Sequence, residues 1–216
     1  MGVRVLDLGR LGYQVAWDRQ LEVHQEVLDG DEDCLIFVEH DPVLTLGANF
    51  HEENLLLTRE QYGERGIDVV RTDRGGDVTY HGPGQLVIYP IFDLTRHGRD
   101  LHKWMRDLEE TMIVTCGEFG VEAGRLSDVN TGAWVGNRKI AAIGVKVRRW
   151  VSLHGIAINC SNDLGVFDLI VPCGVVGHGV TSLSREVGAE VGIDEAKPAV
   201  MVAFEKVFSK SKGERE

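Results

Sequence analysis

Among the four cysteines of this 216-residue chain, Cys173 stands apart by its neighbours. It lies in Val171-Pro172-Cys173-Gly174, after a β-favouring apolar run and ahead of Gly177 and Gly179. Proline fixes the backbone on one side and glycine frees it on the other, which suits a thiol held outside regular structure with backbone N–H groups close by. Cys173 is therefore placed like a nucleophile, against the commoner fate of a cysteine as a small buried apolar residue. That commoner fate is assigned to Cys34 and Cys160, which fall in predicted strands, and to Cys116, in a predicted helix. The four form no C-x-x-C pair, so neither a disulfide framework nor a zinc ribbon is indicated.

The most unusual stretch is RGGDVTYHGPGQ, residues 74–85, with an Arg, a Thr and a His among its glycines. Glycines let a ligand approach the backbone closely, and the amides can then bond a carbonyl or phosphate oxygen. The stretch fits neither G-x-x-x-x-G-K-[ST] nor G-x-G-x-x-G, and a tight loop leading into a strand is the bland alternative. Lys139 follows the turn Gly136-Asn137 and begins a strand, from which its side chain can point into a site on the sheet face; a solvated edge charge is the usual role of such a lysine. His81, His154 and His178 are each available as a base for Cys173, and spacing selects none of them. His51-Glu52 opens a zincin-like H-E-x-x-H, but Leu55 stands where the second His belongs, so no metal site follows.

These residues need elements to position them. Tyr13, Trp17, Leu21, His24, Val27 and Leu28 recur at helical spacing and predict a first helix. Residues 34–39 and 43–46 read as two strand pieces about Asp41-Pro42, residues 69–70 as another short strand, and residues 86–89 as a buried strand ended by Pro90. Leu101, Trp104, Met105, Leu108, Met112, Thr115 and Phe119 predict a second long helix, with Gly120 where a C-terminal glycine belongs. Residues 133–135 and 140–147 form a predicted hairpin about Gly136-Asn137, and residues 151–159 a third strand of that sheet. A last helix carries Val200, Phe204, Val207 and Phe208, before a charged tail, residues 210–216, expected to fray. Strands outnumber helices and often adjoin in sequence, so the expected class is α+β with mixed β-sheets flanked by helices, in one domain over residues 1–216.

With 23 Lys+Arg against 34 Asp+Glu, the net charge of −11 repels phosphate backbones and anionic lipid surfaces, so neither nucleic acid nor membrane is an expected partner. No stretch approaches the roughly 20 apolar residues of a bilayer span, no export signal is apparent, and a cytoplasmic location is expected. The sequon Asn159-Cys160-Ser161 then never meets the glycosylation machinery.

The segments RGGDVTYHGPGQL (74–86), GNRKIAAIGVKV (136–147), HGIAIN (154–159) and VPCG (171–174) resemble, in order and separation, the lipoyl(octanoyl) transferases of the biotin/lipoate protein ligase superfamily. The resemblance implies a biotin/lipoate protein ligase-like catalytic fold. It implies transfer of an octanoyl group from octanoyl-acyl carrier protein to a lysine of lipoyl domains, those of 2-oxoacid dehydrogenases and the glycine cleavage H protein, with no ATP or other cofactor. Cys173 would be the acyl-thioester nucleophile and Lys139 the partner that lowers its thiol pKa and later removes a proton from the acceptor. Arg74, Gly75, Gly76, Asp77, Val78, Thr79, Tyr80 and His81, with Ala142, Ile143, Gly144, Gly155, Ile156 and Ala157, would line the substrate pocket. Relatives often carry serine where Ala142 stands. An ATP-dependent ligase and a non-catalytic acyl-binding module share this fold, but a ligase needs no nucleophilic cysteine. An acidic carrier protein must meet a local basic patch, and the run Arg138, Lys139, Lys146, Arg148 and Arg149, free of Asp and Glu, is the expected one.

Overall fold

The computed structural model describes residues 3–126, 129, 131–171 and 177–213, the side chains of 210–213 excepted. Its strands are β1 Arg4–Leu11, β2 Cys34–His40, β3 Val43–Leu46, β4 Asp68–Arg71, β5 Val78–His81, β6 Gln85–Ile91, β7 Gly132–Val135, β8 Arg138–Arg148, β9 Val151–Asn159 and β10 Gly179–Val180. Its helices are α1 Tyr13–Leu28, α2 Arg59–Gly63, α3 Leu101–Glu118, α4 Leu183–Val187 and α5 Ile193–Gly213. The main sheet has the order β1-β2-β6-β9-β8-β10, with β7 pairing to β8 off that path, and β4-β3-β5 form a small second sheet. Parallel and antiparallel pairs mix in both sheets, the α+β arrangement expected. No described helix is long and apolar enough to cross a membrane.

Helix periodicity decides which sheet face each helix covers. In α1 the buried residues Tyr13, Ala16, Gln20, Val23, His24 and Val27 form one stripe. This stripe packs with Ile36, Val87, Tyr89, Leu153 and Ala157 on one face of the main sheet. The opposite face, with Leu35, Ile88, Ile140, Ala141 and Ile158, is covered by Leu108 and Met112 of α3 and by Val200 and Phe204 of α5. Asp100 caps α3, its Oδ1 accepting the N–H groups of His102 and Lys103.

Three expectations need correction. β1 was not anticipated; it is a half-exposed edge strand whose alternation is interrupted at Gly9 (φ +62°), so its period-2 signal is short. α5 starts at Ile193, well before Val200, and continues through Lys210 to Gly213, past the point where fraying was expected. Finally, β6 does not stop at Pro90. Pro90 stands opposite Leu35 of β2, and its carbonyl accepts from Ser152 Oγ at 2.6 Å on the β9 side. In an antiparallel ladder the N and C=O of one residue face the same neighbour, so the missing N–H also faces β9. There β9 leaves the ladder. Pairing with β6 ends at Ile88–Ile156 and resumes where Ser152 N–H donates to Phe92 O at 3.0 Å. Between them His154 takes φ +57°, and its N–H turns to Gln20 Oε1 on α1 at 3.0 Å.

Gly155 passes so close beneath Pro90 that an added Cβ would lie 2.1 Å from Ile88 O and 2.6 Å from Pro90 Cδ. Gly155→Ala is expected to destabilise the fold by about 1–3 kcal/mol or more in urea unfolding, as overpacking does. Gly117→Ala, in α3 with nothing within 4 Å of the new methyl, is expected to stabilise it by about 0.5–1 kcal/mol. Equal effects of the two changes would refute the close approach at Gly155.

Candidate active site

A cavity of about 390 Å³ lies on the α1 side of the main sheet, where β5 of the small sheet meets it. Ala142 opposes Ala157 and Gly144 opposes Gly155 across the β8–β9 ladder, so the floor of the cavity is a track of residues with little or no side chain. Tyr13, Val87, Tyr89 and His154 add walls, as do the backbone of residues 74–77, Thr79 and His81. Asn49, His51, Met105, Thr131 and Lys139 also line it, with Asn49 and His51 exposed and the other three half-buried.

The glycine-rich stretch is held by its own arginine. Arg74 is 7% exposed, and its guanidinium donates to Thr45 O and Oγ1, Asp77 O and Gly75 O at 2.6–3.1 Å. Arg74 thus lines the cavity, but these bonds build the loop itself. They also set the protons beyond it. Thr45 Oγ1 accepts from both Nε and Nη2 of Arg74, so its own hydrogen points to His81 Nε2 at 3.3 Å. His81 Nδ1–H then donates to Gln85 Oε1 at 2.7 Å, and Gln85 Nε2 to Tyr80 O and Asn159 Oδ1. Asn159 Nδ2 completes the series at Thr181 O, 2.9 Å away. His81 is therefore neutral with both nitrogens engaged, and burial, helped by the nearby His40, drives its pKa down to about 3. His40 is likewise held neutral by burial, at about 4, between Leu11 O and the Tyr89 hydroxyl.

Lys139 reaches the cavity because β8 contains a bulge. Ala133 pairs with Ala141 but Trp134 pairs with Lys139, leaving Ile140 as an extra residue. In a regular strand Lys139 would share a face with Ala141 and Ile143, which pack in the core under α3 and α5. The extra residue changes the parity, and Lys139 joins Ala142 and Gly144 on the cavity face. Its ammonium lies 4.7 Å from the centroid of the Trp134 ring and 3.5 Å from Thr131 O. Gly132 (φ +156°) passes beside its stem, where a Cβ would stand 3.3 Å from Lys139 Cε and 2.5 Å from Ala141 O.

Pro172, Cys173 and Gly174 lie outside the described residues, but both flanks of that segment are tied to pocket elements. Val171 N–H donates to Asn54 O, and Asn54 Nδ2 to Asp77 Oδ2 at 2.6 Å. Downstream, Gly179–Val180 pair in parallel with Arg138–Lys139, and Thr181 N–H donates to Lys139 O at 2.9 Å.

Of the residues expected to line the pocket, Val78 and Tyr80 do not. They are the alternate residues of β5 and pack with Leu44, Leu46 and Phe167 in a separate core under the small sheet. The other expected residues of 74–81, with Ala142, Ile143, Gly144, Gly155, Ile156 and Ala157, do line it. Two of the three candidate bases are otherwise committed, His81 as above and His154 through Nε2 to Asp73 Oδ1 at 2.7 Å. His178 stands edge-on to Trp134 with centroids 5.6 Å apart. Sequence reasoning missed Thr45, His40, Tyr89 and Asp73, polar residues among apolar strands or beside Arg74 whose only signal was an unexplained polar side chain. The basic run is divided: Arg138 pairs with Glu186, Lys146 with Asp73, and Arg148 and Arg149 sit nine or more residues from Lys139, roughly 30 Å along the strand. Among the described residues no group of His, Cys, Asp and Glu could hold a metal ion.

The two neutral imidazoles give the fold a signed pH dependence. Unfolded, each histidine binds a proton below about 6.5; folded, His81 and His40 do so only near 3 and 4. Their contribution is complete above the unfolded pKa and falls as the pH drops, on the order of 1 kcal/mol per pH unit for each imidazole between about 6.5 and 4. Urea midpoints measured from pH 8 to 5 are expected to be flat above 6.5 and to fall below it, and His81→Asn is expected to reduce the slope.

Residues 12–205 match the lipoyl protein ligase A/B catalytic domain. The chain is 44% identical to an octanoyltransferase of Flavobacterium johnsoniae over 224 residues, covering 95% of this chain and 96% of that protein. It is 46% identical to an octanoyltransferase of Citrifermentans bemidjiense over 203 residues, covering 94% and 96%. Among solved structures, the fold is similar to a lipoate-protein ligase A bound with ATP, at TM-score 0.80 and 22% identity over 97% of this chain and 86% of that one. It is similar, less closely, to the biotin protein ligase of Aquifex aeolicus, at TM-score 0.53 and 10% identity over 99% and 71%. This chain belongs to the lipoyl protein ligase A/B catalytic-domain family and, within it, to the octanoyltransferases, enzymes of the acyltransferase class.

Proposed function

We propose that the octanoyl group comes from the thioester of octanoyl-acyl carrier protein, passes to Cys173 and ends on a lysine of a lipoyl domain. The observation that carries this reading is the cavity: an apolar track with a bulge-directed lysine at its rim and both flanks of the Cys173 segment fastened beside it. Octanoyl methylenes lying on Ala142, Gly144, Gly155 and Ala157 leave water at about 0.8 kcal/mol each. Ala142 offers no hydroxyl, so the carbonyl end is held by other groups.

In the first half-reaction the Cys173 thiolate attacks the donor thioester carbon, a new C–S bond forms, the old one breaks, and the carrier's sulfur leaves as a thiol with the proton of the Lys139 ammonium. One thioester replaces another of similar energy, so no ATP is consumed. The Lys139 ammonium favours the thiolate, about 1.4 kcal/mol for each unit by which the thiol pKa falls. In the second, the acceptor amine attacks the acyl-enzyme, C–N forms and C–S breaks. Having given up that proton, Lys139 is the neutral base that takes one from the acceptor nitrogen and passes it to the Cys173 sulfur. Lipoyl domains of 2-oxoacid dehydrogenases and the glycine cleavage H protein are the proposed acceptors, and the cytoplasm the proposed location.

Incubation with octanoyl-acyl carrier protein in the absence of ATP is expected to add one octanoyl group to Cys173, detected by mass spectrometry, and none in Cys173→Ala. Transfer by Cys173→Ala or Cys173→Ser near the wild-type rate would rule out the covalent route. Lys139→Arg keeps the charge but cannot release its proton. It is expected to retain part of the acylation rate and to slow transfer to the lipoyl domain more; equal slowing of both steps would count against Lys139 as a base.

A further inference from the structure

The acceptor nitrogen must lose two protons to become an amide, and Lys139 accounts for one. The other is the proton of the incoming ammonium, whose removal at pH 7 costs on the order of 4–5 kcal/mol for an ordinary lysine. A base for it must stand where the acceptor arrives, at the rim of the cavity that solvent reaches.

His51 stands there. It lines the cavity, its side chain is 63% exposed, and its Nδ1 lies 3.2 Å from Asp77 Oδ2. Asp77 is 7% exposed, and its oxygens also accept from Asn54 Nδ2 at 2.6 Å and from the backbone N–H groups of Val78 and His51 at 2.7 and 3.3 Å. The Asp77 carboxyl accepts from N–H donors on every side, so in the neutral His51 ring the hydrogen sits on Nδ1 and the lone pair on Nε2. The support is rigid. Gly47, Ala48 and Asn49 donate backbone bonds to Asp77, Arg74 and Gly76 at 2.9–3.1 Å, and a Cβ on Gly47 would lie 2.2 Å from Gly76 O. An imidazole oriented through one nitrogen by a buried carboxylate, with the other nitrogen available at a substrate cavity, has the construction of a general base.

Building on the covalent reading above, we propose that His51 is the base that deprotonates the acceptor lysine. Nε2 takes one proton from the ammonium; the amine attacks the octanoyl carbonyl carbon, C–N forms and C–S breaks. The second nitrogen proton passes through Lys139 to the Cys173 sulfur. The proton on His51 leaves to solvent, to which the ring is open. Asp77 stabilises the imidazolium in between and keeps its own charge.

The test is a single-turnover transfer from isolated octanoyl-enzyme to a lipoyl domain, followed from pH 5.5 to 9, with formation of the octanoyl-enzyme measured separately. His51→Gln is expected to slow transfer about 100-fold at pH 7, to lose the neutral plateau so that the rate climbs with pH into the alkaline range, and to form the octanoyl-enzyme within twofold of wild type. Added imidazole is expected to restore part of the transfer rate of His51→Ala. Transfer by His51→Gln within threefold of wild type across the pH range, equal loss in both steps, or a slowed rate with an unchanged pH profile and no imidazole rescue would each overturn the assignment. Failure of the wild-type protein to form an octanoyl adduct on Cys173 would overturn the covalent reading and this inference with it, and is seen before any His51 variant is made.

Discussion

A guanidinium has five N–H groups and no acceptor, so burying one obliges the surrounding chain to supply oxygens in a fixed fork. Arg74 meets that demand with carbonyls from two separate strand-linked segments and the hydroxyl of Thr45. The obligation runs both ways: residues 74–77 cannot take another path without stranding a buried charge. From this follow the cavity wall, the seat of Thr45, and the direction of every hydrogen from Thr45 through His81, Gln85 and Asn159 to the carbonyl of Thr181. Thr181 lies in the stretch that follows the Cys173 segment. The cavity and the stretch that follows the Cys173 segment are thereby joined by one ordered set of hydrogen bonds.

Set against this polar frame, the floor is almost featureless. Small residues on β8 and β9 leave the α1 face of the sheet open for a chain to lie flat, while the other face of the same strands is filled by α3 and α5. Polar atoms gather at the rim, where Lys139 rests over Trp134. An apolar track with charge at one end matches a molecule that is a hydrocarbon with a reactive carbonyl at one end.

Much of this was legible. Helical spacing located α1, α3 and the C-terminal half of α5; the Gly136-Asn137 pair located the β7–β8 hairpin, in which Gly136 takes φ +58°. The glycine-rich stretch is conspicuous by composition alone, whereas Lys139 reads as an ordinary edge charge until the resemblance gives it a role. What periodicity could not show is where a regular element departs from itself. The extra residue at Ile140 reverses the side of the sheet that Lys139 faces, and nothing local marks it, because the bulge exists only relative to β7. Pro90 looked like a strand end because a proline removes a ladder bond; the loss is absorbed by Gln20 on a distant helix and by the φ of His154. The resemblance assigns residues 74–81 to the pocket as one run, whereas residues 78–81 are a strand, and its alternation turns Val78 and Tyr80 away.

The β8–β9 turn carries a consequence for how such a chain can vary over generations. Arg149 and Trp150 form a two-residue turn with both φ angles positive, 54° and 66°, the twist-matched kind normally given to Asn and Gly. Every residue of the cavity floor belongs to the two strands this turn joins, and their pairing continues without interruption from Arg148–Val151 to Ala142–Ala157. Adding or deleting one residue in the turn would shift that pairing and turn one strand's floor residues over to the core face. The tip, although far from Lys139, therefore holds the floor residues in register, and it is itself anchored, with half-buried Trp150 packed on the core beneath the Arg99 guanidinium.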